Sequence, residues 1–172
     1  PAITTTTALT NDSTPAIEGV AEAGSTVTLF VDGETTGITT TADGTTGAYT
    51  ITPAELSDGA YSLTVTATDT AGNISAVSDA LSMTVDATAP AQPAITTTTS
   101  LTNDATPTIE GTAEAGSTVT LLSGGVAIGT TTANGDGQFS ITTSTLADNT
   151  YALTVTATDV AGNISDASDA LS

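Results

Sequence analysis

The sequence contains no lysine, arginine or histidine, yet it carries 19 aspartate and glutamate residues, for a formal net charge of −19. No basic side chain of the same chain can neutralise any of these acids. The absence also argues against nucleic acid and anionic membrane as partners, because both are held through basic surfaces. Cysteine is missing, which removes disulfides and thiolate metal sites. Without His, Cys or Lys there is no Ser-His or Cys-His pair, no Schiff-base lysine and no zinc site of the usual kind. A sugar-cleaving carboxylate pair is conceivable by residue type, but tryptophan is absent and the few aromatics fall at core-like strand positions. We therefore expect no enzyme activity. No apolar run nears the roughly 18 residues of a membrane span and no signal peptide is visible. Because the chain opens at Pro1 and stops in mid-pattern, it is expected to be a piece of something longer.

What is present is a repeat. The opening Pro1-Ala2-Ile3-Thr4-Thr5-Thr6-Thr7 returns as Pro93-Ala94-Ile95-Thr96-Thr97-Thr98-Thr99, and Ile17-Glu18-Gly19 returns as Ile109-Glu110-Gly111. The offset is 92 at Ile3/Ile95 and 90 at Tyr61/Tyr151, so the second copy has lost two residues, most simply around Ser123-Gly124-Gly125. A length of 172 residues then divides into two domains of about 85 residues each. The expected boundaries are a first domain over 1–86, a short joint over 87–92 and a second domain over 93–172 with its last strand cut short. The stretch from Val85 to Pro93 that contains the joint carries Pro90 and Pro93, which stiffen it relative to a Gly/Ser tether.

Within a copy the hydrophobic pattern alternates and shows no helical period. In Tyr61-Ser62-Leu63-Thr64-Val65-Thr66-Ala67-Thr68 every second residue is apolar, as in a strand with one buried face. Turn chemistry recurs at Asp32-Gly33, Asp43-Gly44 and Asp58-Gly59. Seven strands fit the first copy, roughly 2–7, 14–21, 26–32, 35–41, 47–52, 60–69 and 74–86. The reading is an all-β chain of two tandem immunoglobulin-like Greek-key sandwiches, arranged end to end. Tyr61 and Tyr151 open the sixth strand of their copies, where a tyrosine corner would sit. The Thr tracts at 4–7 and 96–99 read as strand propensity rather than a regular ice-binding array. Asn134-Gly135-Asp136-Gly137 reads as a hairpin turn rather than part of an EF-hand.

Several motifs together resemble a known family. Gly-x-Ala-Glu-x-Gly-Ser-x-Val spans Gly19 to Val27 and Gly111 to Val119, Asp-x-Ala-Gly-Asn-Ile-Ser spans Asp69 to Ser75 and Asp159 to Ser165, and Val-Asp-x-Thr-Ala-Pro spans Val85 to Pro90. The combination is similar to the bacterial Ig-like repeats in the extender regions of large type I-secreted RTX-type adhesins. That resemblance implies a secreted or cell-surface string of domains, with Ca²⁺ at the interfaces and a distal ligand-binding region projected from the cell. Other readings are an adhesive module for glycan or protein and a linker domain of a secreted polysaccharide-degrading enzyme. The short loops of Gly, Asp, Thr and Ala offer no aromatic or arginine hot spot, which favours the spacer.

In a seven-strand up-and-down path the loops alternate between the pole where the chain enters a domain and the pole where it leaves. Asp12 and Asp58 then fall at the leaving pole of the first domain, and Glu114, Asp136 and Asp159 at the entering pole of the second, with Asp86 between them. Two carboxylates ~5 Å apart repel by roughly 3 kcal/mol at an effective dielectric near 20. A shared pocket of several needs a proton or a metal to neutralise it. Oxygen-only ligands suit Ca²⁺. The expected ligands are Asp86, Glu114 and Asp159, with Asp136 as a further candidate and Asp12 and Asp58 closing the site. The expected partners are neighbouring Ig-like domains of the same chain, in a monomer that does not insert into membranes.

Overall fold

A computed structural model describes residues 1–98 and 101–171. Thr99, the last residue of the second Thr tract, and Ser172 lie outside them. The chain divides into two compact units, Pro1–Ala87 and Thr88–Ser172. Among the described residues every regular element is a β-strand.

Unit 1 contains β1 (Ala2–Ile3), β2 (Leu9–Thr10), β3 (Ile17–Val20), β4 (Thr26–Val31), β5 (Glu34–Thr41), β6 (Ala48–Ile51), β7 (Gly59–Thr68) and β8 (Leu81–Val85). They form one sheet in the order β1-β3-β6 and another in the order β2-β8-β7-β4-β5. Unit 2 contains β9 (Ala94–Ile95), β10 (Thr108–Thr112), β11 (Thr118–Ser123), β12 (Val126–Thr132), β13 (Gln138–Thr142) and β14 (Leu153–Thr158), in sheets ordered β13-β10-β9 and β12-β11-β14. All pairings are antiparallel except β2 with β8.

The alternating residues explain the layers. Val27 and Leu29 of β4 and Leu63 and Val65 of β7 are fully buried, while their neighbours Thr26 and Thr39 stay exposed. With Ile17, Met83 and Ile51 they make the unit 1 core; Ile109, Val119, Leu121, Ile141 and Val155 make that of unit 2. Each such side chain contributes roughly 1.5–3 kcal/mol on burial. Tyr49 lies opposite Gly19 and Phe139 opposite Gly111. A methyl group on either glycine would overlap the facing ring and the carbonyl oxygen of Ala2 or Ala94, so both positions require glycine. The Tyr49 hydroxyl also donates to the Ala2 carbonyl at 3.0 Å, pinning β1. Both tyrosine corners are present: Tyr61 Oη donates to the Ser57 carbonyl at 2.8 Å and Tyr151 Oη to the Ala147 carbonyl at 3.0 Å.

Three expectations are corrected. The first strand, expected over 2–7, is regular only over Ala2–Ile3, and a further short strand, Leu9–Thr10, lies in the other sheet, because the Thr tract between them carries the chain across. The Thr4 and Thr5 N–H groups both donate to the Glu18 carbonyl, and the Thr5 hydroxyl accepts the Glu18 N–H at 2.7 Å. Thr97 does the same for Glu110. The tract is thus a side-chain-bonded crossing and not a strand.

The seventh strand is regular only over Leu81–Val85. Before it, serine hydroxyls replace ladder carbonyls: the Ser75 hydroxyl accepts from the Ala67 N–H at 2.9 Å and the Ser78 hydroxyl from the Val65 N–H at 3.1 Å. Ser165 and Ser168 repeat this with Ala157 and Val155.

The two missing residues of the second copy are not at Ser123-Gly124-Gly125. One is lost from a bulge, where three residues of β5 lie between Thr39 and Thr35 but only Ile128 and Gly129 lie between the corresponding Thr130 and Ala127 of β12. The other is lost from the next turn, closed by Asp43 N–H to the Ala48 carbonyl in unit 1 and Asn134 N–H to the Gln138 carbonyl in unit 2.

Two substitutions test this description. Ser168→Ala leaves the buried Val155 N–H without its acceptor and should destabilise unit 2 by about 1–3 kcal/mol. Thr143 is 4% exposed and its hydroxyl has no hydrogen-bond partner, so Thr143→Val should stabilise unit 2 by about 1 kcal/mol. Denaturant melts of the two variants read both; a loss from Thr143→Val, or no loss from Ser168→Ala, contradicts the packing.

Candidate functional site

The expected ligands fall into two sets. In unit 1, Asp12, Asp58 and Asp86 gather at the end of the sandwich where β8 finishes. Asp58 and Asp86 flank the paired residues Gly59 and Val85, and Asp12 follows Thr10, which pairs with Val85 on the other side. The segments are tied together: the Asp86 N–H donates to the Thr10 carbonyl at 2.9 Å, and Asp58 Oδ1 accepts the Ala87 N–H at 2.7 Å. Asp12 Oδ1 accepts from the Thr14 N–H at 2.8 Å and the Thr14 hydroxyl at 3.1 Å. Such short-range bonds are the usual reason for aspartate in a turn.

In unit 2, Glu114, Asp136 and Asp159 lie at the opposite kind of end, among the loops that follow β10, β12 and β14. The Ala113 N–H donates to the Gly137 carbonyl at 2.8 Å, joining the Glu114 loop to the Asp136 turn. The pairing of Thr118 with Thr158 brings the start of β11 beside the end of β14, next to Asp159. The alternation of loops between poles therefore holds inside each unit. Among the described residues, no three or more Asp or Glu approach closely enough to hold a metal ion. The expected set is divided between the units, three residues in each, so neither unit contains it whole.

Some of these acids have structural work that the spacing did not reveal. Asp69 Oδ1 accepts the N–H groups of Ala71 and Asn73 at 2.9 and 2.8 Å, and its Oδ2 accepts the Asn73 side-chain amide at 2.7 Å. Asp159 repeats the arrangement with Gly162 and Asn163. The signal was Asp-x-Ala-Gly-Asn, in which an Asn four residues after an Asp closes the loop on it. Asp43 Oδ1 accepts the N–H groups of Thr45 and Thr46, and in unit 2 the neutral Asn134 holds the corresponding turn through Asp136 and Gln138. Asp136 thus lies in the expected hairpin turn, donating its N–H to Asn134.

These bonds lower the pKa values of the carboxylates that accept them. The Asn73 side chain, then its N–H, holds Asp69 below the usual carboxylate range. The Thr46 and Thr45 N–H groups, with the Thr46 hydroxyl, do so for Asp43. For Asp159, desolvation pushes upward as the largest single influence, but the Asn163, Gly162 and Ala161 hydrogen bonds together outweigh it and the net shift is downward.

Comparisons with known proteins place the fold. The family model for the bacterial Ig-like domain matches residues 2–87 and again 91–172, and the chain belongs to that family as two tandem copies. Among solved structures, fibronectin(III)-like modules of Clostridium thermocellum CbhA share 18% identity at a TM-score of 0.58, over 96% of this chain and 90% of theirs. The BSP domain of a biofilm-associated protein is 22% identical over 96% of this chain at a TM-score of 0.40, and this chain spans 28% of that one. The D0-D1 domain of intimin is 18% identical over 97% of this chain and 95% of its own, at a TM-score of 0.32. No curated protein matches the chain.

The depressed carboxylates generate a pH dependence. A folded pKa below the unfolded value contributes stability that is present above the unfolded value, near 3.9, and lost as pH falls through the folded value. The double variant Asp69→Asn, Asp159→Asn should therefore be less stable than the parent at pH 7, and the gap should close as pH falls below about 4. Thermal melts across pH 7 to 2.5 measure it. A gap that does not change with pH would show that these charges do not hold their loops.

Proposed function

We propose that the chain is a spacer from the extender of a secreted or surface-bound RTX-type bacterial adhesin, and that Ca²⁺ between consecutive Ig-like units stiffens the array that projects a distal binding region. The coarse part, two tandem bacterial Ig-like domains, is established by the family match over almost the whole chain. The observation that carries the rest is electrostatic: the chain provides 19 carboxylates and no cationic side chain. Units strung together in this way repel unless an external cation intervenes.

Asp12, Asp58 and Asp86 at one end of unit 1, and Glu114, Asp136 and Asp159 at one end of unit 2, are the residues that would hold the ion. Their donors are all oxygen, which suits a hard cation taking six to eight ligands. Asp159 already receives hydrogen bonds from its own loop, and these favour the charged form that a metal requires, while Asp58 accepts the Ala87 N–H from the segment that follows β8. Bound Ca²⁺ supplies positive charge at a site where the protein has none. The function is mechanical, without a catalytic role, and the partners are neighbouring domains of the same kind.

A calcium titration of the thermal melt tests this. Extracellular modules of such chemistry bind at about 10⁻⁴ to 10⁻³ M. A tenfold excess over Kd stabilises by about 1.4 kcal/mol, which raises Tm by roughly 6–11 °C for domains of this size. Asp86→Ala should abolish most of the rise. A Tm that ignores Ca²⁺ would remove the calcium mechanism and leave the family assignment intact.

A further inference from the structure

The chain has six asparagines, and only Asn134 is followed by glycine. The others precede Asp12, Ile74, Asp104, Thr150 and Ile164. Asn134 opens the turn between β12 and β13, and both Asn134 and Gly135 are exposed. Four hydrogen bonds fix the asparagine in place. Its N–H donates to the Gln138 carbonyl and its carbonyl accepts the Gly137 N–H, each at 2.9 Å. Its Oδ1 accepts the Asp136 N–H at 3.0 Å and the Gln138 N–H at 2.9 Å.

These contacts prepare one reaction. The bond from the Asp136 N–H to Oδ1 closes a ring that contains the Gly135 nitrogen, so the side chain is folded back over that nitrogen. The Gly135 N–H donates no hydrogen bond among the described residues, and glycine has no side chain to shield it. When the nitrogen attacks Asn134 Cγ, negative charge develops on Oδ1, where two N–H groups already point. Donors fixed on the oxygen that gains charge are the largest single aid in such acyl chemistry. The contrast with Asn73 and Asn163 is clear. Their side-chain amides are engaged by Asp69 and Asp159, and the β-branched side chains of Ile74 and Ile164 crowd the next nitrogen.

We propose that Asn134 is a self-modification site, which deamidates in the folded chain with water as the only co-reactant. The Gly135 nitrogen gives up its proton and bonds to Cγ, the bond from Cγ to the side-chain nitrogen breaks, and ammonia leaves. Water then opens the cyclic imide. Opening at Cγ restores the main chain with an aspartate at position 134; opening at the main-chain carbonyl leaves the chain running through Cγ as isoaspartate. No electrons are transferred. Either product adds a carboxylate to a chain that already carries 19, in the loop that holds Asp136. Unit 1 shows that aspartate fits this turn, because Asp43 Oδ1 accepts the Thr45 and Thr46 N–H groups in the same way. The Thr46 and Thr45 N–H groups also keep Asp43 ionised, and a carboxylate resists nucleophilic attack, so the unit 1 turn does not follow this path.

The test incubates the full 172-residue chain at neutral and mildly alkaline pH and locates any mass gain by fragmenting the intact protein in a mass spectrometer. Trypsin mapping is of no use, since the chain has no Lys or Arg. An amide-to-acid mass gain is expected at Asn134 before any other asparagine, with isoaspartate among the products and a rate that rises with pH as Gly135 loses its proton more readily. Conversion in the folded chain should be at least as fast as in the chain unfolded by denaturant. Gly135→Val should stop it while leaving the melting midpoint in place, because a Cβ at Gly135 meets nothing within 4 Å and its φ is not left-handed. The proposal is overturned if the folded chain keeps its mass while the unfolded chain gains it, if another asparagine converts first, or if Gly135→Val converts as fast as the parent.

Discussion

Nineteen carboxylates and no cationic side chain set the terms on which this chain can fold. An acid taken into the interior would have no partner there, and an unpaired buried charge costs several kcal/mol. Accordingly, the buried polar side chains among the described residues are all hydroxyls: Ser25, Thr66, Ser117, Thr143, Ser165 and Ser168. Hydroxyls do here what charged pairs and main-chain carbonyls do elsewhere. Ser25 and Ser117 donate to the carbonyls of Glu22 and Glu114, and Ser165 and Ser168 accept from the β14 ladder. The carboxylates stay out of the core, and most of them lie in loops, where neighbouring N–H groups are the strongest compensation available without a cation.

Much of the fold was legible because burial imposes a period of two on a half-buried strand. The alternation in Tyr61 to Thr68 survives as β7, and the Leu-x-Asp pattern before each corner tyrosine positions a hydroxyl on the carbonyl four residues back. What was not legible is where side chains replace backbone partners. The tract Thr4 to Thr7 has strong strand propensity, yet Thr5 spends its hydroxyl on the Glu18 N–H and the chain changes sheets. Ser75 and Ser78 lie in a segment that looks like the start of a strand, but their three-residue spacing matches hydroxyls reaching alternate N–H groups of β7. Propensity carries no record of such substitution, because it depends on the strand next door.

The candidate site was legible in its placement and less so in its chemistry. Loop alternation assigns Asp12, Asp58 and Asp86 to one end of their unit and Glu114, Asp136 and Asp159 to one end of theirs, because consecutive strands run antiparallel. The local roles of Asp159 and Asp58 were hidden, since an aspartate closing a loop and one binding a metal look alike in sequence. The comparison of Asp43 with Asn134 separates the two: a turn that works equally well with a neutral amide does not depend on charge. No neutral substitute stands at the second-copy counterparts of Asp58 and Asp69, which are Asp148 and Asp159.

The family match and the sheet order account for the units; the proposed stiffening of a string of them rests on a cation that the sequence does not provide. Small-angle scattering of the intact chain, with Ca²⁺ and with a chelator, tests that claim most directly. Ca²⁺ should give the longer maximum dimension and the less flexible profile, with chelation releasing a bending two-unit chain. Identical profiles in both conditions would contradict it.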